Sequence, residues 1–88
     1  IKIAIVDDQQ LFRNGLASLL SESTQLELLY EAESANQILD FFNQGSQLPD
    51  ILLMDMKLPD MNGMELNKKL QKEYAQVKVL VLSMYDQE

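Results

Sequence analysis

Residues 49–63 read PDILLMDMKLPDMNG, and this stretch carries the pattern that decides the fold. The apolar run at 51–54 stops abruptly at Asp55. A short, uninterrupted apolar run is typical of a strand that is covered on both faces. Pro59 and Gly63 favour a turn before the next helix. The stretch therefore predicts a buried strand that ends in a carboxylate, followed by a tight loop.

Three further stretches are predicted to be strands. Residues 2–6 and 77–82 are rich in β-branched and other apolar residues, and they stop at the acidic pair 7–8 and at Ser83. Residues 26–33 include three glutamates, so they are predicted to form a more polar edge strand. Alternation in this stretch is expected to place four apolar side chains on one face: Leu26, Leu28, Tyr30 and Ala32.

Apolar residues at helical spacing occupy the three segments between these strands. The stripes, in chain order, are Phe12, Leu16, Leu19 and Leu20; Ala35, Ile38, Leu39 and Phe42; and Leu66, Leu70 and Tyr74. Residues 34–37 fit a capping box, and Gly45 is placed to end the second helix. The order βαβαβαβ predicts an α/β, doubly wound parallel sheet with helices on both faces. The two most apolar strands, 2–6 and 51–54, are expected in its interior, which gives the strand order 2-1-3-4.

Composition excludes several kinds of site. The 88 residues suffice for one small domain, and they include no cysteine and no histidine, so disulfides, thiolate metal sites and histidine ligands are ruled out. The net charge of −7 repels phosphate backbones, so this segment is not expected to bind nucleic acid directly. No apolar run is long enough to cross a bilayer and no signal-peptide pattern opens the chain, so a cytoplasmic protein is expected.

Polar residues that end three of the strands are expected to meet at one edge of the sheet. They are Asp7 and Asp8, Asp55, and Ser83. Each alone is more often a turn residue, but the carboxyl ends of parallel strands are where ligands of such sheets gather. Carboxylates this close would repel by ~4 kcal/mol per pair at ~4 Å and an effective dielectric constant of ~20. A Mg²⁺ ion would offset that repulsion, and a carboxylate beside it could act as a nucleophile toward phosphorus.

The chain resembles response-regulator receiver domains, and more narrowly those of the LuxR/NarL type. The stretches that carry the resemblance are IAIVDDQQLFRNGLASLL (3–20), DILLMDMKLPDMNGMEL (50–66) and KVLVLSMYDQE (78–88). The resemblance implies a flavodoxin-like sheet and a phosphorylation switch. A histidine kinase would donate a phosphoryl group in a Mg²⁺-dependent reaction, and the change would control an output domain that binds DNA and regulates transcription.

The resemblance also implies a role for each site residue. Asp55 would be the phosphoacceptor and also a Mg²⁺ ligand, and Ser83 would be the switch hydroxyl that contacts the phosphoryl oxygens. Asp8 would bind Mg²⁺ directly, Asp7 would act largely through water, and the backbone carbonyl of Lys57 would be a further ligand. Such a domain catalyses its own phosphorylation and dephosphorylation but is otherwise a signalling protein, not an enzyme.

Some features depart from the family pattern or lie outside the site. Gln9 stands where LuxR/NarL-type receivers often carry histidine, and the side chains of Arg13 and Lys57 are expected to be solvated. The resemblance implies that residues 1–88 are a receiver domain lacking its last strand and helices, and DNA contact would need an output domain outside them. The edge of the strand at 77–82 is accordingly expected to drive self-association.

Two other functions remain open. One is an interaction module that keeps the fold but not the switch. The other is a haloacid-dehalogenase-like phosphatase, whose signature requires a second aspartate two residues after the nucleophile; Lys57 occupies that position here.

Overall fold

The computed structural model describes residues 1–45 and 47–82, which form a four-stranded sheet and three helices. In chain order these are β1 (Lys2–Val6), α1 (Gln10–Ser21), β2 (Glu27–Ala32), α2 (Ala35–Asn43), β3 (Ile51–Asp55), α3 (Gly63–Glu73) and β4 (Lys78–Leu82). Every strand pair is parallel and the order is β2-β1-β3-β4, which confirms the predicted topology. None of the helices in the described ranges is long and apolar enough to span a membrane.

Two strands are shorter than predicted, and two of their terminal amides bond elsewhere. β1 covers the predicted range Lys2–Val6, but β2 lacks the predicted terminal residue at each end. The Glu33 N–H donates to the Gln37 side chain, 2.7 Å away, instead of joining the sheet. Val77 is fully buried, but its N–H donates to the Tyr74 carbonyl in a turn, so β4 begins at the next residue.

The main hydrophobic core lies between one face of the sheet and the helices α2 and α3. The register pairs Ala4 with Leu52 and Val6 with Met54, which places these side chains on the same face. The core cluster comprises Ala4, Val6, Ala32, Ala35, Ile38, Phe42, Leu52, Met54, Leu58, Leu66, Leu70 and Val77. Ile3 and Ile5 are buried on the opposite face, on the side of α1. This two-sided burial is what the apolar sequence of β1 predicts.

The predicted alternation of β2 is wrong, because the strand contains a bulge. Leu28 pairs with Ile3, but Tyr30 pairs with the next residue, Ala4, so Leu29 is an extra residue on the β2 side. Successive residues of β1 point to opposite faces, so Leu28 and Tyr30 do not share a face as the sequence suggested. The shift also places Glu31, the partner of Ile5, on the α1 side of the sheet.

Helix α1 is less deeply buried than the other helices. It contains no fully buried residue, and Leu19 is 66% exposed, so its assignment to the buried stripe is wrong. The half-buried positions of the helix are Phe12, Arg13, Leu16, Ala17 and Leu20. At 100° per residue, this face is centred between Arg13 and Leu16, which leaves Leu19 at its rim. The helix is thus rotated toward Arg13 relative to the apolar stripe.

The predicted cap of α2 is largely confirmed. The Ser34 hydroxyl accepts a hydrogen bond from the Gln37 N–H at 3.1 Å. In a capping box the glutamine would bond back to the cap residue itself, but here it reaches the preceding residue, Glu33. Gly45 follows the helix with φ of +81°, a conformation that glycine adopts without steric cost.

Candidate functional site

Three carboxylates meet at the carboxyl ends of β1 and β3. The two strands are neighbours, and Val6 pairs with Met54, so the residues that follow them emerge at the same edge of the sheet. Oxygen atoms of Asp7, Asp8 and Asp55 all lie within 4.8 Å of one another. The predicted convergence of these acidic residues is therefore found in the structure.

Asp7 is the most constrained member of this acidic site. It is only 1% exposed, whereas Asp8 is exposed and Asp55 is half-buried. The Asp7 N–H donates to the Ala32 carbonyl at 3.0 Å, which extends the pairing of β1 with β2. Its carboxylate accepts the Gln9 N–H at 2.8 Å, which forms the turn into α1. Asp7 therefore forms the buried side of the site, and Asp8 forms the side that is open to solvent.

The electrostatics of the site oppose the ionisation of Asp7. Burial raises the pKa of its carboxyl group, and the hydrogen bond from the Gln9 N–H lowers it by less. The charges of Asp55 and Asp8 raise this pKa further, while the guanidinium of Arg13 lowers it. The net pKa lies above the ordinary value for aspartate. A cation in the site would relieve the same repulsion that raises the pKa.

Arg13 is not solvated, contrary to the expectation from the sequence. Its side chain is 12% exposed and donates to the backbone carbonyl of Asp7 through Nη1. Its Nε donates to Glu31 Oε1 at 3.3 Å. The sequence signal was available: Arg13 is the only arginine of the chain and lies one helical turn after Gln9, at the start of α1. A residue in that first turn can reach back to the strand end that precedes the helix.

The loop after Asp55 is tightly closed against the start of α3. The Gly63 N–H donates to the Met56 carbonyl at 2.7 Å, and Lys57 forms an isolated bridge with Asn62. The Asn62 side chain also caps α3. The side chain of Lys57 is exposed, as predicted. The assignment of its backbone carbonyl as a metal ligand stays a prediction.

Asp60, in the same loop, is a structural contact that the sequence did not reveal. Its two carboxylate oxygens accept the N–H groups of Ala35 and Asn36, each at 2.9 Å, and so cap the start of α2 from a distant loop. Burial acts to raise the pKa of Asp60, but hydrogen bonds from Asn36, Ala35 and its own amide outweigh this effect and leave the pKa below its ordinary value. The loop that follows Asp55 is thereby tied to a second helix.

Ser83, the predicted switch hydroxyl, lies outside the described residues, and its role stays a prediction. The three acidic residues alone provide a donor set of hard oxygen atoms. Such donors suit Mg²⁺, which commonly takes one or two carboxylates and keeps several waters, and the exposed side at Asp8 leaves room for them. The residues present therefore fit the metal that the resemblance implies.

Comparison with known proteins agrees with this geometry. The family model of the response regulator receiver domain matches residues 3–88. The chain is 38% identical over 88 residues to the transcriptional regulatory protein DegU of Brevibacillus brevis, and 40% identical over 86 residues to the transcriptional regulatory protein LnrK of Bacillus subtilis. These matches cover 100% and 97% of the chain but 36% and 38% of the two relatives. The chain thus spans well under half the length of these relatives.

Solved structures show the same fold. A LuxR-family response regulator from Aurantimonas is 25% identical, with a TM-score of 0.84 over 97% of this chain and 59% of that one. The receiver domain of RcsB from Escherichia coli has a TM-score of 0.87 over 98% of this chain and 66% of that one, at 19% identity. Because the family model spans nearly the whole sequence, the chain belongs to the family of response regulator receiver domains of two-component systems.

Proposed function

We propose that this receiver domain is a phosphorylation switch whose phosphoacceptor is Asp55. The observation that carries the proposal is the meeting of three carboxylates within 4.8 Å at the carboxyl ends of β1 and β3. Asp55 is the last residue of β3, so the sheet fixes its backbone. Its side chain is half-buried, so the carboxylate is accessible from solvent. The phosphoryl donor is a sensor histidine kinase, as the family implies.

In the proposed transfer, an oxygen of the Asp55 carboxylate forms a bond to phosphorus. The bond between phosphorus and the kinase histidine nitrogen breaks, and its electron pair stays on that nitrogen. A bound Mg²⁺ supplies positive charge that offsets the charge of the transferring group. Asp7, Asp8 and Asp55 would hold that ion, with Asp8 as a direct ligand and Asp7 acting largely through water. The Lys57 carbonyl would be a further ligand, and Ser83 would donate its hydroxyl to the phosphoryl group.

The phosphorylated state would act on a partner or an output domain. DegU and LnrK are named transcriptional regulatory proteins, and this supports an output that binds DNA and regulates transcription. Residues 1–88 would then contain the phosphoacceptor site of a receiver domain. We expect the protein to be cytoplasmic and to self-associate. The domain turns over only its own phosphoryl group, so its role is signalling and not metabolic catalysis.

The proposal is tested by labelling with acetyl phosphate and Mg²⁺. We expect the protein to gain one phosphoryl group, and Asp55→Asn to gain none, because the substitution removes the nucleophile. Asp40→Asn is the matched control: it makes the same change on the exposed side of α2 and should label normally. Undiminished labelling of Asp55→Asn would refute the assignment. Absence of labelling in the unmodified protein would favour an interaction module without a switch.

Metal binding is tested separately by nuclear magnetic resonance. We expect Mg²⁺ to shift the amide signals of Asp8 and Asp55 with a Kd in the millimolar range, because few protein ligands and several waters make a weak site. The Asp55→Asn variant should bind more weakly, since it removes one negative charge from the site. A titration without any shift near these two residues would contradict the proposed metal site.

A further inference from the structure

Arg13 contacts the peptide group that joins the two acidic residues following β1, Asp7 and Asp8. Its Nη1 donates to the carbonyl of Asp7, and that carbonyl belongs to the same rigid plane as the N–H and Cα of Asp8. The Asp8 side chain is exposed and has no hydrogen-bond partner among the described residues that would fix it directly. The peptide plane therefore fixes the N and Cα atoms of Asp8, and together with the φ angle of this residue it determines the direction in which the side chain leaves the backbone.

Arg13 is itself held in place from two sides. It belongs to α1, and its Nε bonds to Glu31 on β2 at 3.3 Å. Its side chain is only 12% exposed, so its conformation is limited by packing. A guanidinium has several donors in one plane, and here it uses two of them to join β1, β2 and α1 at one point.

We propose that Arg13 is a positioning residue for the metal site: by holding the Asp7 carbonyl, it orients Asp8 toward the ion. This inference rests on the proposed function, because it assumes that Mg²⁺ binds at Asp8. The contact is to a backbone carbonyl, so the guanidinium occupies no carboxylate oxygen of the site. Arg13 thus orients a ligand without competing for it.

The charge of Arg13 acts in the opposite direction and makes the proposal testable. A cation close to the acidic site repels Mg²⁺, so simple electrostatics predicts that removal of the guanidinium would tighten metal binding. Loss of positioning predicts weaker binding instead. Groups that orient metal ligands contribute roughly 10- to 100-fold to metal affinity. We therefore expect positioning to outweigh the charge effect and the net change to be a weakening of roughly 10-fold.

The experiment measures the Mg²⁺ affinity of Arg13 variants from amide shifts. Arg13→Met keeps the apolar stem and removes every donor, so it retains packing and serves as the main variant if Arg13→Ala does not fold. Arg13→Lys keeps the charge and a donor group and should regain most of the affinity. The carbonyl carbon shift of Asp7 in the metal-free protein reports directly on the hydrogen bond and should change in Arg13→Met.

Lys2→Met is the matched control. Lys2 also makes an ion pair with a glutamate of β2, Glu27, at 2.9 Å, but at the opposite end of the sheet. It should leave the Mg²⁺ affinity within about two-fold of wild type, since exposed ion pairs contribute little.

The outcomes separate the two proposals. A folded Arg13→Met protein with unchanged or tighter Mg²⁺ binding would overturn the positioning role, while the proposed function would stand. A wild-type protein that binds no Mg²⁺ would refute the metal site itself, and with it the role of Arg13. An equal loss of affinity in Lys2→Met and Arg13→Met would show a general structural effect and would also overturn the inference.

Discussion

Substitution of Gly63 by alanine should force apart the loop that follows the phosphoacceptor. Gly63 is the first residue of α3 and is buried against this loop. A Cβ atom built on it would lie 2.9 Å from the Cα of Met56, 3.0 Å from its Sδ, and 3.1 Å from the carbonyl oxygen of Asp55. The thioether can move away, but the two backbone atoms belong to the closed loop and cannot do so independently.

The size of the effect follows from these distances. Carbon atoms in favourable contact are about 3.5 to 4.0 Å apart, so the backbone at Met56 would have to move by at least about 0.6 Å. Overpacking of this kind typically costs about 1 to 3 kcal/mol. Alanine is a better helix former than glycine by up to about 1 kcal/mol, which offsets part of the cost. We expect Gly63→Ala to lower the free energy of unfolding by about 1 to 2 kcal/mol.

Gly15→Ala is the matched control. Gly15 lies inside α1, and a Cβ atom at this position would meet nothing within 4 Å. The same change should therefore raise the free energy of unfolding by about 0.5 to 1 kcal/mol through helix propensity alone. Urea denaturation at pH 7 measures both variants. The rate of phosphorylation by acetyl phosphate should fall in Gly63→Ala, because the Asp55 carbonyl is displaced, and should be unchanged in Gly15→Ala.

The reasoning would be refuted if the two alanine variants were equally stable. It would also fail if Gly63→Ala were destabilised but phosphorylated at the normal rate, because the displacement would then have been absorbed away from Asp55.

Two further predictions concern the loop cap and the sheet edge. Asp60→Ala should lower stability by about 1 kcal/mol at pH 7, because it removes the acceptor of the Ala35 and Asn36 N–H groups. The pKa of Asp60 is lowered in the folded state, so this contribution is complete above the unfolded-state pKa of about 4 and is lost as the pH falls through the folded-state value. Equal urea midpoint differences at pH 7 and pH 3 would contradict this. Leu80 and Val81 on β4 are 47% and 45% exposed, so we expect the 88-residue polypeptide to self-associate. Light scattering should detect the association, and substitution of both residues by lysine should reduce it. A monomeric unmodified polypeptide would contradict this prediction.

The sheet and the acidic site could be predicted because they depend on short-range patterns. The apolar runs of β1 and β3 identified the two interior strands, and parallel strands necessarily bring their ends to one edge. Asp7, Asp8 and Asp55 follow from those two facts without any knowledge of side-chain packing.

The missed features depend on register and on contacts between distant parts of the chain. The bulge at Leu29 exists only in the pairing of β2 with β1, and alternation within β2 cannot show it. The capping of α2 by Asp60 joins residues 25 positions apart. The burial of Arg13 was not predicted because a charged residue near a helix start is usually solvated, and its position one turn after Gln9 permits contact with the preceding strand end without requiring it.

The bulge at Leu29 has an evolutionary consequence. Because it adds one residue to β2, Glu31 is turned to the side of the sheet on which Arg13 lies. A deletion of one residue between Leu28 and Glu31 would turn the glutamate to the opposite face and leave the arginine without its acidic partner. The Arg13–Glu31 contact therefore constrains the number of residues in this edge strand separately from its composition. Lineages that lose the extra residue should also lose the arginine, although the two positions lie in different elements and neither is an acidic residue of the site.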